Sequence, residues 1–346
     1  MIYYFILFLS TIAFCYLVYR FVDWEEISLN IDPQNIPNVK WPFINIQDEN
    51  GNNLNILCIR GPLEDTKDIK FFKQCLDKGI QFVGCSSYTS FPQPCLNPHG
   101  TCHETMEFEG KPYYHSDYVI GWLHPFRNPR NYIPTKLPTL LLSESDFADT
   151  MNLTPEYDQI VYDFLVYCPS DDECDKGWNH HNKNWPLCKS LVETLANHFD
   201  QKGIVIGHET CPLDIHDTSR IVRTDFLQYW DFIQKMKQSR YVLIPSFEDA
   251  SPRTITEALT LDKPVLMNRS ILGGWKYIHD QTGMFIDEDD QMDVIPKFLE
   301  RIDSMTPRKY FFKHYGVEKS GRKLKHFLQS IKSDLRDCTL AVFPVS

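Results

Sequence analysis

The sequence predicts an α/β protein of two lobes, preceded by one N-terminal transmembrane helix. Three observations carry this. Strand-like and helix-like segments alternate from about residue 160 to residue 286, a shorter and loop-heavier version of the pattern runs from residue 54 to 142, and residues 2–19 hold no charge. Alternating strands and helices imply parallel sheets whose ligands sit beyond the carboxyl ends of the strands.

The N-terminal run comes first. Ile2 to Tyr19 contains Ser10 and Thr11 as its only aliphatic hydroxyl residues. At about 1.5 Å per residue it is just long enough to cross a bilayer. A cleaved signal peptide would want a basic leader and a small-residue cleavage site, and neither is present. Residues 1–22 therefore read as an uncleaved anchor, placing the chain in a membrane of endoplasmic reticulum or Golgi type. Orientation stays open, because Arg20 follows the span and no Lys or Arg precedes it. Residues 23–53, rich in Asn and Pro, read as a stem.

In the next segment, strands are expected at Leu54–Ile59, Ile80–Val83, Tyr118–Trp122 and Thr139–Leu142, with a helix from Thr66 to Lys78 ended by Gly79. Gly84 to Pro112 is a long Cys- and Pro-rich excursion, and many aromatics lie between residues 82 and 132, where they could wall a pocket. In the second half, strands are expected at Tyr162–Tyr167, Gly203–Gly207, Tyr241–Ile244, Pro264–Met267 and Gly283–Ile286. Helices are expected at Leu187–Phe199, with Pro186 as an early helix residue, and at Tyr229–Ser239 and Arg253–Leu261.

Composition excludes some classes. A hydrophobic content of 42% with 23% charged residues fits a globular chain, and a net charge of -11 argues against non-specific nucleic-acid binding. The basic run from Arg308 to Lys332, with Glu318 as its lone acid, reads as a solvated helix face. Eleven cysteines include the clusters Cys85, Cys95, Cys102 and Cys168, Cys174, Cys188, which an oxidising lumen could pair. Cys95, Cys102 and His103 are the sharper alternative as zinc ligands, but no C-x-x-C pair supports it. Sequons stand at Asn152 and Asn268.

The chemistry concentrates between Tyr241 and Asp287. A strand runs into Pro245-Ser-Phe-Glu-Asp249-Ala-Ser-Pro-Arg253, then a helix, then Lys263-Pro264 and another strand. This sets Asp249 in a loop beyond a strand end, while the N–H groups and dipole of the next helix open into the same crevice. Glu257 lies one turn beyond Arg253 on the same face. Carboxylates accept hydrogen bonds from sugar hydroxyls, and Arg with free N–H groups neutralises phosphate. The bland reading is a surface acid, a capping loop and a Glu257–Arg253 ion pair.

Asp249-Ala-Ser-Pro-Arg-Thr-Ile-Thr-Glu257-Ala258, followed by Asp262-Lys-Pro-Val265, Asn268, Gly273-Gly274 and Thr282–Ile286, resembles the donor motif of retaining GT-B glycosyltransferases, especially glycosyltransferase family 4. The resemblance covers roughly the second half of the chain. It implies two Rossmann-like lobes of GT-B type: residues 54–150 as the acceptor-side lobe and 151–346 as the nucleotide-sugar-binding lobe with C-terminal helices. It also implies sugar transfer to a glycan, protein or lipid hydroxyl, with retention and without a cofactor or active-site metal. Glu257 would bind the donor ribose and Asp249 would lie near the sugar; Arg253, Ser251 and Thr254 surround them.

The chain departs from the family in having Asp where Glu is usual, Ala-Ser-Pro for the Gly-rich loop, and no tidy Arg…Lys pair for the diphosphate. Lys183 is the substitute, with Lys176 second. His124 follows an expected N-lobe strand, where such enzymes often place a histidine near the sugar, though a structural histidine fits equally. Two rival readings remain: a non-catalytic binding or scaffold protein, which would hydrolyse no donor, and a metal-dependent GT-A transferase using Asp287–Asp290, which otherwise reads as a solvated acidic turn. No G-x-G-x-x-G, P-loop, G-x-S-x-G or H-E-x-x-H motif is present.

Overall fold

The computed structural model describes residues 32–344 apart from 64–65, 88–90, 93–105, 109–110, 157–158, 170–173 and 208–209. The expected membrane anchor and the Cys95, Cys102 and His103 cluster lie outside the described residues. No helix among the described residues is long and apolar enough to cross a membrane.

The first sheet begins earlier than Leu54. Strand β1 (Phe43–Gln47) pairs antiparallel with β2 (Asn53–Ile59), and β2 is followed by helix α1 (Thr66–Asp77) and β3 (Gln81–Cys85). Gly79, at φ 78°, ends α1 in the left-handed conformation that a side chain would resist. After the small hairpin β4 (Met106–Phe108) and β5 (Lys111–Tyr113) come β6 (Trp122–His124) and β7 (Thr139–Leu141). The sheet order is β1-β2-β3-β6-β7, parallel from β2 onward. The strand expected at Tyr118–Trp122 is thus displaced: Tyr118 closes a 3₁₀ turn and the ladder starts at Trp122.

The second sheet is built from β8 (Tyr162–Tyr167), β9 (Gly203–Ile206), β10 (Ile221–Thr224), β11 (Ser239–Ile244), β12 (Val265–Asn268) and β13 (Gly283–Ile286). Its helices are α2 (Trp178–Asn182), α3 (Trp185–His198), α4 (Tyr229–Lys237), α5 (Arg253–Thr260), α6 (Gln291–Arg301), α7 (Pro307–His314) and α8 (Gly316–Ile331). All strands are parallel, in the order β10-β9-β8-β11-β12-β13. This is the doubly wound order, with its reversal between β8 and β11. Period-2 alternation sends Phe164, Val166, Tyr241 and Leu243 into the core on one face and Leu165, Val242 and Ile244 into the core on the other. Cys174 and Cys211 are joined by a disulfide, whereas Cys168 and Cys188 lie buried in the core of this lobe.

The chain's end returns to the first lobe. Leu324 and Leu328 of α8, with Ala341 and Phe343, pack on Ile44, Ile56, Cys58 and Val83. Burying each leucine contributes roughly 1.5–3 kcal/mol. Val342 exchanges two backbone hydrogen bonds with Gln47, extending the sheet beyond β1. The C-terminal helix and the segment after it thus pack against the first sheet.

A buried polar knot joins the lobes. Asp146, in the 3₁₀ segment Glu144–Met151, lies 2.6 Å from Lys276 Nζ and accepts a 2.6 Å hydrogen bond from the Tyr277 hydroxyl. Their exposures of 3% and 5% leave this pair to be satisfied by protein alone. Burial pushes the Lys276 ammonium down, against the opposing Asp146 carboxylate. Trp275 Nε1 donates to Pro125 O, adding a second bond between the lobes.

Candidate donor cavity

The loop after β11 is held from three sides. Asn268 Nδ2 donates to the carbonyls of Pro245 and Ser246, while Phe247 N donates to Asn182 O. Leu272 N and Gly273 N donate to Phe247 O and Asp249 O. Gly273 is required there, since a Cβ would sit 2.0 Å from Ala250 O. Asn268 is buried and its amide is used inside the loop, so this sequon is closed to modification in the folded chain.

Lys183 and Asp249 meet at the reversal of the sheet, one from the connection after β8 and the other from the loop after β11. Their Nζ and Oδ2 are 2.7 Å apart and both side chains are less than one-fifth exposed. Burial would push Lys183 down, but Asp249 and, behind it, Tyr167 hold the ammonium above its ordinary value. Arg253 opens α5 after Pro252, and Glu257 follows one turn later with 6% exposure. Burial pushes the Glu257 carboxyl up, opposed by Arg253 and by the Tyr229 hydroxyl. Ser251 Oγ lies 2.8 Å from Ser145 Oγ, so the loop also touches the first lobe.

These groups line one cavity of about 410 Å³: Lys183, Asp249, Ser251, Arg253, Thr254 and Glu257, together with Tyr167, Phe226, Leu227, Tyr229, Pro252 and Phe232. Six of the seven residues nominated from sequence are thus brought together. His124 is not among the lining residues. It is buried at the end of β6 with Nδ1 unpartnered, and burial, helped by Lys276 and Arg130, pushes its pKa down to about 4. Lys176 lines a separate hollow of about 140 Å³ with His180 and His181. The acidic turn is ion-paired: Asp287 and Asp290 lie 2.6 and 2.9 Å from the Arg269 guanidinium and do not line the cavity. Among the described residues, no group of His, Cys, Asp and Glu is arranged to hold a metal ion.

Sequence reasoning missed Tyr167, Phe226, Leu227, Tyr229 and Phe232. Tyr167 arrives at the end of β8, Phe226 and Leu227 on the β10–α4 connection, and Tyr229 and Phe232 on α4, none of which any local spacing links to Asp249. Glu248 is 7% exposed with Oε2 unpartnered, and burial pushes its carboxyl up.

No protein-family model and no curated protein matches the chain. Solved structures do. TarM superimposes with a TM-score of 0.51 at 12% identity over 79% of this chain, which spans only 54% of TarM. HepE from Anabaena, solved with UDP and glucose, gives 0.51 at 11% identity, covering 77% of this chain and 76% of HepE. An alpha-glucosyltransferase solved with UDP and a 13-mer DNA gives 0.50 at 10% identity, covering 79% of each. The chain therefore has the two-lobed α/β fold of GT-B type that these glycosyltransferases share.

Proposed function

We propose that this chain is a glycosyltransferase that binds a nucleotide-sugar donor in the 410 Å³ cavity and passes the sugar to a hydroxyl acceptor. The observation that carries the reading is the meeting of Lys183 and Asp249 at the sheet reversal, with Arg253 and Glu257 in the same cavity. Ligands of doubly wound sheets bind at that point, and the fold is that of nucleotide-sugar-dependent enzymes.

In this scheme Glu257 accepts hydrogen bonds from the ribose hydroxyls. Arg253, Lys183 and the first N–H groups of α5 stabilise the diphosphate as the bond to the anomeric carbon breaks, so that no divalent metal is needed. Asp249 both holds Lys183 and faces the sugar. The acceptor oxygen enters from the first lobe and bonds to the anomeric carbon with retention, in keeping with the sequence resemblance, while its proton leaves with the departing diphosphate oxygen. His124 takes no step. The charge-free run at residues 2–19 would hold the enzyme to a membrane.

A thermal-shift screen of UDP-, GDP- and ADP-sugars tests the reading. A true donor at a hundred times its Kd stabilises by about 2.7 kcal/mol. Failure of every nucleotide sugar and nucleoside diphosphate to shift the melting temperature would sink it. Transfer should survive EDTA; loss of activity restored by manganese would overturn the metal-free part.

A further inference from the structure

The cavity is chemically graded along the sheet. Its charged groups come from the connections after β8 and β11, whereas Phe226 and Leu227 come from the connection after β10, three strand positions away from β11. At the usual spacing of neighbouring strands that is on the order of 14 Å. Phe226 is 62% exposed, a large apolar ring left in water at the edge of a cavity. Between the two ends stands Tyr229, the first residue of α4. Its hydroxyl is buried and faces the Glu257 carboxylate without completing a hydrogen bond of normal geometry.

A buried hydroxyl without a completed hydrogen bond is costly unless a ligand supplies one. An exposed ring at the rim of a site is suited to stacking, because any nucleobase has a π-face to cover it. From this grading we infer that Tyr229 and Phe226 are specificity residues for the nucleoside part of the donor. The Tyr229 hydroxyl hydrogen-bonds one ribose hydroxyl beside Glu257, and Phe226 stacks on the base. The preferred ligand class is a ribonucleoside diphosphate rather than a deoxy analogue or a sugar phosphate without a base. This inference rests on the donor reading of the same cavity.

Isothermal titration of the full chain tests it, first with UDP, GDP and ADP, then with the 2′-deoxy and 3′-deoxy forms of the tightest binder. Tyr229→Phe removes only the hydroxyl, and Phe226→Ala removes a ring already in solvent, so both variants should melt as the wild type does. The wild type is expected to prefer the ribonucleotide over at least one deoxy form by about tenfold. Tyr229→Phe should cut that preference to under about threefold by weakening ribonucleotide binding alone. Phe226→Ala should weaken nucleoside diphosphate binding by about tenfold and leave ribose 5-phosphate binding unchanged. Unchanged preferences in Tyr229→Phe overturn the ribose assignment, and unchanged nucleotide affinity in Phe226→Ala overturns the stacking. If the wild type binds no nucleoside diphosphate at all, the donor reading falls and this inference falls with it.

Discussion

The two sheets are near neighbours in architecture but differ in winding, and the difference decides where ligand chemistry can gather. In the second sheet the order reverses between β8 and β11, so their outgoing connections part and leave a crevice. In the first sheet the order β1-β2-β3-β6-β7 runs one way across the sheet, starting from an antiparallel edge strand. It has no such parting point. Accordingly Lys183, Asp249, Arg253 and Glu257 collect in one cavity, while the corresponding histidine of the first lobe, His124, is buried as part of the packing. The first lobe also relies on the chain's end: α8 covers one face of its sheet.

The most damaging way to break this arrangement is at the knot between the lobes. Asp146→Ala leaves the Lys276 ammonium buried without its partner, which costs about 3–5 kcal/mol. Denaturant unfolding should show a loss of that size, whereas Asp146→Asn with Lys276→Met should recover much of it. A loss below about 1 kcal/mol for Asp146→Ala would mean that the knot does not bind the lobes together.

The next effect is on chemistry. Asp249→Asn and Lys183→Met each break the 2.7 Å pair at the sheet reversal. Removal of one electrostatic group at a reacting centre costs on the order of 10²–10³ in turnover. Transfer to any working acceptor, measured with saturating donor, should fall by that range in both variants. If either keeps wild-type turnover, the sugar does not react beside this pair.

That pair was half legible before folding. Asp249, Ser251, Arg253, Thr254 and Glu257 belong to one loop and the helix after it, so their spacing alone places them together. Lys183 could be named only as a loop lysine after a strand; its meeting with Asp249 needs the sheet order. Strands buried on both faces, such as Tyr162–Tyr167 and Gly203–Ile206, announced themselves as apolar runs. Two of the edge strands did not. In β10 only Ile221 is buried, and Arg223 breaks the run. Strand β1, inside a stretch rich in Asn and Pro, was read as stem although Phe43 and Ile46 are core residues. Trp122 was placed at the end of its strand instead of the start because Tyr118, Val119 and Ile120 imitate one. The return of α8 to the first lobe is a long-range contact with no local signal.

A smaller effect sharpens the ligand-binding side of the comparison. Glu257→Gln keeps the shape of the side chain and removes its charge. A charged hydrogen bond contributes about 1.5–3 kcal/mol, so affinity for a nucleoside diphosphate should fall roughly ten- to a hundredfold in a folded protein. Unchanged affinity would return Glu257 to the role of a buried carboxylate held beside Arg253 and Tyr229.

A last effect separates the lobes by pH. Burial pushes His115 and His124 of the first lobe down to about 4 from an ordinary value of 6.5. Between those values the unfolded chain binds protons that the folded chain does not, so this lobe loses stability as pH falls from 6.5 toward 4. The second lobe has the opposite habit. Burial raises the carboxyls of Glu248 and Glu257 above an ordinary value of 4.5. Their folded forms hold protons longer, so the stability they contribute is complete below 4.5 and is lost as pH rises through the raised values. Moving from pH 7 to pH 5 should therefore loosen the first sheet by about 1–2 kcal/mol per histidine and leave the second unchanged or firmer. Hydrogen exchange of β2 and β3 against β8 and β11, corrected for intrinsic rates, reads this directly. His124→Gln should reduce the acid response of the first sheet, and Glu248→Gln should flatten the response of the second. Equal loosening of both sheets on acidification, indifferent to His124→Gln, would show that the buried histidine is not what makes the first lobe acid-sensitive.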